Sequence, residues 1–107
     1  MSSRYQLIES PKGRGKIFRD DQFLAESGYS LAVRQERVRA GNEWLEGHLQ
    51  IDGKLTDRST WEDLEELAND PFTLHLSDGR RLNFLFINFA TGQIKGTGDF
   101  YREQSKV

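Results

Sequence analysis

The chain has 107 residues, of which 36% are hydrophobic and 30% charged, and its 15 basic and 17 acidic side chains give a formal net charge of −2. This length fits a single domain over residues 1–107, and seven Phe, three Tyr and two Trp supply the apolar volume for one core. The small net charge provides no field that would attract nucleic acid, and the absence of cysteine excludes disulfides, thiolate metal sites and cysteine nucleophiles.

The N-terminal segment predicts a short strand followed by a basic loop. Residues 4–9 suit a strand, whereas Pro11 and the glycines of PKGRGK are typical of a loop, so we predict a flexible basic loop over residues 11–16. A hairpin turn is predicted next at Asp20-Asp21, because aspartate tolerates the left-handed backbone conformations of tight turns.

Two alternating segments predict long strands in the middle of the chain. From Phe23 to Val33 the apolar residues fall at every second position, which indicates a strand with one buried face. After a turn at residues 40–42, the segment from Glu43 to Asp52 alternates in the same way. The predicted apolar face of this second strand comprises Leu45, Gly47, Leu49 and Ile51.

The segment between Asp57 and Pro71 predicts one short amphipathic helix of about three turns. Trp61, Leu64 and Leu67 recur at helical spacing among acidic residues. Ser59 stands three residues before Glu62, the spacing of a capping box, so we predict that it caps the helix.

The C-terminal third contains the strongest hairpin signal, Asp78-Gly79 between two apolar runs. The run after the turn, residues 82–89, is apolar at nearly every position, which predicts a strand covered on both faces. A final strand is predicted over residues 93–101, and the polar tail over residues 102–107 is predicted to be frayed.

These elements predict a mainly β fold, a small antiparallel β-barrel or a strongly curved sandwich of six to seven strands. One short amphipathic helix is inserted before the last three strands. We favour the barrel, because closing the sheet removes strand edges that would otherwise promote aggregation.

No group of residues in the sequence predicts catalysis, a metal site or a cofactor. His48 and His75 are the only histidines, and alternation places both on polar strand faces. No serine lies in the strand-turn-helix context of a hydrolase nucleophile. The alternative of an enzyme with a His48-centred site therefore requires Glu46 or His75 to converge on His48 in the folded chain.

Two sets of residues are candidates for ligand binding. One set is basic and suits an anion at the barrel rim, because guanidinium groups bind anions bidentately. It comprises residues of the PKGRGKIFR segment and the first of the three arginines at positions 34, 37 and 39. Aromatic residues of the predicted strands suit an apolar ligand inside the barrel. The candidates are Arg14, Lys16, Arg19 and Arg34 for the rim and Tyr29, Phe84 and Phe86 for the interior.

We therefore expect a non-enzymatic binding or interaction module that takes a small anionic or apolar ligand or a protein partner. Neither nucleic acid nor a membrane is expected as a partner, and a cytoplasmic monomer or homodimer is expected because no signal peptide or membrane span is evident. A homo-oligomeric structural protein assembled through a strand edge is the remaining alternative.

Overall fold

The computed structural model describes residues 3–103. Within them, seven antiparallel strands form one sheet, and there is one short helical segment. The strands are β1 Ser3–Glu9, β2 Lys12–Arg19, β3 Gln22–Ala40, β4 Glu43–Leu55, β5 Phe72–His75, β6 Arg81–Asn88 and β7 Gln93–Gly96. The helical segment comprises α1, Arg58–Trp61, and a 3-10 helix, Glu62–Leu67. This mainly β architecture confirms the fold class predicted from the sequence.

Six of the strands close a barrel. The hydrogen-bonded order β2-β5-β6-β7-β4 is completed by β3, which pairs with β2 along one edge and with β4 along the other. The ring therefore has no seam between its first and last strands, which confirms the expectation that closure removes the barrel's edges.

β3 and β4 are longer than the barrel and extend beyond it. β3 has 19 residues, and from Val33 onward it pairs with β1 on one side and with the start of β4 on the other. These three segments, residues 3–9, 33–40 and 43–50, are called the β-arm below. The described residues extend over 50 × 41 × 24 Å, consistent with an element that projects from a small barrel.

The barrel interior is filled by side chains. Fifteen buried apolar residues form one cluster, to which β2, β3, β5 and β6 contribute Ile17, Leu31, Leu74 and Phe84. Trp61 is carried into this cluster by α1, and its indole Nε1 donates a hydrogen bond to the carbonyl oxygen of Thr56 at 2.5 Å. The helical segment thus closes one end of the barrel.

Three hairpin turns were predicted correctly, and their backbone angles explain why. Asp20 and Asp21 both have positive φ, 51° and 66°, and the Asp78-Gly79 turn has a φ of 91° at its glycine. At residues 40–43 only Gly41 has positive φ, 64°, as in a type II′ turn. Aspartate and glycine accept these angles most readily.

The prediction of a basic loop over residues 11–16 was wrong, since β2 begins at Lys12 and pairs with β3 from there on, and from Lys16 also with β5. Gly13 and Gly15 lie against the Tyr29 ring, and a Cβ on either would approach ring atoms within 3.3 Å. Both glycines therefore make room for an aromatic side chain on β3, and Gly15 also lets β5 approach, since its Cβ would lie 2.6 Å from the carbonyl oxygen of His75.

The helix was placed correctly but is shorter than predicted, one α-helical turn followed by a 3-10 segment. The capping box was also wrong, because Asp57 occupies the N-cap in a left-handed conformation and Ser59 lies inside the helix. The Asp57 carboxylate accepts hydrogen bonds from the Arg14 side chain and from the Gly28 N–H, so it does not cap the helix.

Two predictions for the C-terminal strands require correction. The outer face of β6 is not covered, since Ile87 is 56% exposed. The final strand ends at Gly96, and Tyr101 returns only as an isolated bridge to Arg81. The tail over residues 102–107 was predicted to be frayed. At its start the Arg102 guanidinium donates a hydrogen bond to the carbonyl oxygen of Asp78 at 3.0 Å, and residues 104–107 lie outside the described residues.

Within residues 3–103, no helix has the length and apolar character needed to cross a membrane.

Candidate functional site

The four basic residues predicted to bind an anion do not meet in one place. Arg14, Lys16 and Arg19 lie along β2, whereas Arg34 lies on β3 at the base of the β-arm. Three of the four side chains already have partners within the chain: Arg14 with Asp57 at 2.7 Å, Arg34 with both oxygens of Asp52 at 3.1 Å, and Arg19 with main-chain carbonyls.

Arg19 holds the end of the helical segment against β2. Its guanidinium donates to the carbonyl oxygens of Leu67 and Asp70 at 2.6 Å and to that of Pro71 at 3.3 Å. It also lies 4.0 Å from the centre of the Phe72 ring. These contacts hold the carbonyls at and after the end of the helical segment against β2, so the side chain has a structural role.

The three aromatic residues predicted to line a ligand site belong to the barrel core. Tyr29 and Phe84 are buried, and the Tyr29 hydroxyl forms a 3.1 Å hydrogen bond with the Ser77 hydroxyl. Phe86 packs against the cluster, with its ring centre 5.4 Å from that of Trp61. A ligand in this interior would have to displace packed side chains.

The two histidines lie on β4 and β5, which are separated by two strands in the barrel order. His75 stacks on Phe18 with ring centres 4.0 Å apart, and burial together with the nearby Arg81 lowers its pKa. His48 is exposed on the β-arm, where its backbone N–H donates to the Glu36 carboxylate. Among the residues that the structure describes, no three histidine or acidic side chains are grouped to hold a metal.

The described surface includes two open clefts with mostly polar walls. One, of about 630 Å³, surrounds the Phe18–His75 stack and is bordered by Asp20, Asp70 and Arg81. The other, of about 700 Å³, lies where β4 separates from the chain after β7 and includes Glu46 and Lys95. Both have mixed charges and polar walls, without convergence of groups suited to one reaction.

The β-arm is the most unusual surface of the described chain. Large apolar side chains here are 41–54% exposed although they lie in regular strands. Isolated exposed apolar residues are common on proteins, whereas several on one small element indicate an interaction surface. These residues are Tyr5, Leu7, Ile8, Trp44 and Leu45.

One face of the β-arm carries four apolar side chains beside Arg34 and Glu36. Residues opposite each other in an antiparallel pair share a face, and the register joins Val38 with Leu45. Two and four residues from Val38 along β3, Glu36 and Arg34 lie on the same face opposite Tyr5 and Leu7. Tyr5, Leu7, Val38 and Leu45 are called the apolar face below. It continues the outer surface of the barrel.

The opposite face carries a cluster of arginines around a tryptophan. The register places Arg4 opposite Arg37, Arg37 opposite Glu46, and Arg39 opposite Trp44. The guanidinium carbons of Arg4 and Arg39 lie 4.7 and 5.9 Å from the centre of the Trp44 ring. Arg4, Arg37, Arg39 and Trp44 are called the arginine face below.

A bulge in β4 explains why the prediction for Leu45 was wrong. Gln35 pairs with Leu49 but Arg37 pairs with Glu46, so β4 has one extra residue at Gly47-His48. This insertion reverses the alternation, and Leu45 leaves the face that Leu49 and Ile51 share. Gly47 was the only sequence signal of the bulge, since a glycine inside a strand often marks one.

Bulges also interrupt the two open edges of the β-arm. β1 has an irregular register at Ile8, between Leu7 and Glu9, and β4 has the bulge at Gly47-His48. Such bulges and charged edge residues discourage pairing with a further strand. The faces of the β-arm are therefore better candidates for association than its edges.

Comparison of the chain with protein-family models, with curated proteins and with solved structures finds no match, so the site rests on its own geometry.

Proposed function

We propose that this protein is a non-catalytic interaction module that binds another protein chain through the β-arm. The observation that carries the proposal is the concentration of half-exposed apolar side chains on an element that the barrel does not need for closure. Its cytoplasmic location is part of the same proposal.

The energetics of the β-arm support a partner. Apolar surface gains about 25 cal/mol for each Å² removed from water, a gain that half-exposed side chains such as Tyr5, Leu7 and Leu45 realise only in part. Small sheets wet on both faces are marginally stable. A partner that covered the apolar face would supply the missing burial and stiffen the β-arm.

A small ligand has weaker support than a protein partner. The barrel interior is occupied by the side chains of Tyr29 and Phe84, and Arg14, Arg19 and Arg34 are engaged with groups of the chain itself. An anion would have to compete with those partners. The enzyme alternative also has weaker support, because His48 and His75 are placed on separate strands of the ring.

Site-specific photo-crosslinking tests the proposal. The photoreactive residue p-benzoylphenylalanine is placed at Leu7 or Leu45 in cells that make the protein, and at Phe23 or Ile87 as exposed apolar controls outside the β-arm. We expect discrete crosslinked protein bands from the two β-arm positions only. The proposal fails if the β-arm positions give no adduct, or if the control positions give the same bands.

A further inference from the structure

We propose that the arginine face of the β-arm docks on the acidic segment of a second copy of this chain. The acidic segment is defined as residues 62–70, which contain five acidic side chains and no basic one. This inference rests on the proposed function, because it names the occupant of one face of the β-arm.

The arginine face has too few carboxylates to neutralise its arginines. It brings three arginines together, and within residues 3–103 the only carboxylate paired with them is that of Glu46, 3.7 Å from Arg37 and itself 71% exposed. Arg4 and Arg39 lie over the Trp44 ring and are not paired with carboxylates within the described residues. Guanidinium groups beside an exposed aromatic ring suit an acidic protein surface with an apolar centre.

The acidic segment has the complementary composition. Glu62, Asp63, Glu65, Glu66 and Asp70 are all exposed, and none forms an ion pair within residues 3–103. Leu67, at the same surface, is 44% exposed although it follows a helical turn that buries Leu64. The segment therefore offers carboxylates around one apolar side chain, as the arginine face offers guanidiniums around Trp44.

The two surfaces are too far apart to meet within one chain. The helical segment is attached beside the start of β3, where the Thr60 hydroxyl donates to the carbonyl oxygen of Glu26 at 2.5 Å. The arginine face includes Arg39, near the other end of β3. At about 3.3 Å per residue, the intervening strand spans roughly 40 Å. Contact between the arginine face and the acidic segment therefore requires a second molecule.

The resulting contact is heterologous, with the β-arm of one copy on the acidic segment of the next. Such contacts lead to open chains or to closed rings, and in a closed ring of two copies the contact is made twice. The surfaces are small and charged, so the association is weak, and it weakens further as salt screens the charges.

Sedimentation velocity on the purified protein tests the inference. We expect the mean mass of the wild type to rise with concentration at low ionic strength and to fall to that of the monomer at high ionic strength. The β-arm variant Arg37→Glu/Arg39→Glu and the segment variant Glu65→Lys/Glu66→Lys are each expected to associate roughly tenfold or more weakly than the wild type.

Mixing the two variants gives the decisive result. The segment variant retains its arginine face and the β-arm variant retains its acidic segment, so a mixture should associate although neither variant associates alone. Lys12→Glu/Lys54→Glu, exposed barrel positions with the same change in charge as the β-arm variant, should associate like the wild type. Thermal unfolding confirms that each variant folds. The salt dependence of the wild-type mass tests the inference independently, because it needs no substitution.

A wild type that stays monomeric at every concentration and low salt overturns the inference, as does a mixture that does not pair. A dimer that survives high salt and both charge reversals also overturns it. If self-association is absent while Leu7 and Leu45 still crosslink to another protein, this inference fails and the proposed function stands.

Discussion

At the scale of single residues, Arg80 joins the β-arm to the barrel. Its guanidinium donates to both carboxylate oxygens of Glu9 at 2.7 and 2.8 Å and to Asp78 at 2.8 Å, and it lies 4.4 Å from the centre of the Phe100 ring. Its side chain is only 19% exposed. Glu9 ends β1, so this contact ties the base of the β-arm to the β5–β6 hairpin.

The carboxylates around Arg80 predict how stability depends on pH. The side-chain hydrogen bond from Arg80 lowers the pKa of Glu9, and the backbone N–H of Arg80 is the largest cause of the lowered pKa of Asp78. Groups with lowered pKa stabilise the fold above their ordinary pKa, about 4, and this stabilisation is lost as pH falls through the folded-state pKa.

Arg80→Gln should therefore reduce the free energy of unfolding by about 1–2 kcal/mol at neutral pH, measured by urea titration. Between about pH 5 and 3, its stability should fall less steeply than that of the wild type, because the Glu9 pKa is closer to its ordinary value. Arg81→Gln, which loses the ion pair with Glu103 and leaves both carboxylates around Arg80 in place, serves as the control. Equal pH slopes for wild type and Arg80→Gln would contradict this account.

At the scale of elements, the close approach of β4 to β3 depends on a glycine. Gly53 is paired with Leu31 of β3 on one side and with Ile94 of β7 on the other. A Cβ at this position would meet the carbonyl oxygen of Ser30 and the Cα of Leu31, which are backbone atoms and cannot rotate away. The missing side chain lets β4 lie within the closed ring.

Gly53→Ala should destabilise the fold by about 1–3 kcal/mol, since the strands must separate to accept the methyl group. Gly98→Ala is the matched control, because an added Cβ there meets no atom within 4 Å and the residue has no positive φ. That substitution should leave stability unchanged or raise it by up to about 1 kcal/mol. Thermal unfolding that ranks the two variants equally would disprove the role of Gly53.

Elements with local signals were predictable, and those set by distant neighbours were not. The turns at Asp20-Asp21 and Asp78-Gly79 follow from the backbone preferences of the residues in them. The segment after Pro11 was predicted as a loop because the role of its glycines depends on Tyr29. The same limit applies to the predicted anion site, since the partners of Arg14 and Arg34 lie 43 and 18 residues further along the chain.

At the scale of the whole molecule, one of the two tryptophans stabilises the barrel and the other lies on the proposed interaction surface. Trp61 is fully buried in the barrel, whereas Trp44 is 41% exposed on the β-arm. The sequence predicted the helical stripe that buries Trp61, but it did not predict the β-arm. Its strands alternate as barrel strands do, and only their length relative to the barrel distinguishes them.

Trp61→Ala should cost about 3–5 kcal/mol of unfolding free energy, because it opens a cavity in the core and removes the hydrogen bond to Thr56. Trp44→Ala should cost no more than about 1–2 kcal/mol, from the two exposed contacts with Arg4 and Arg39. Urea titration of both variants compares the two losses of unfolding free energy. A loss at Trp44 as large as that at Trp61 would show that the β-arm is part of the folding core.

The central claim is that the β-arm, and not the barrel interior, makes this protein's contacts. Native mass spectra after exposure to a lysate of the producing cells test it most directly, when the wild type is compared with Leu7→Lys/Leu45→Lys. The account predicts an added mass of protein size on the wild type that is absent from the equally folded variant. A small-molecule mass retained by both forms, or a protein retained by the variant, would contradict it.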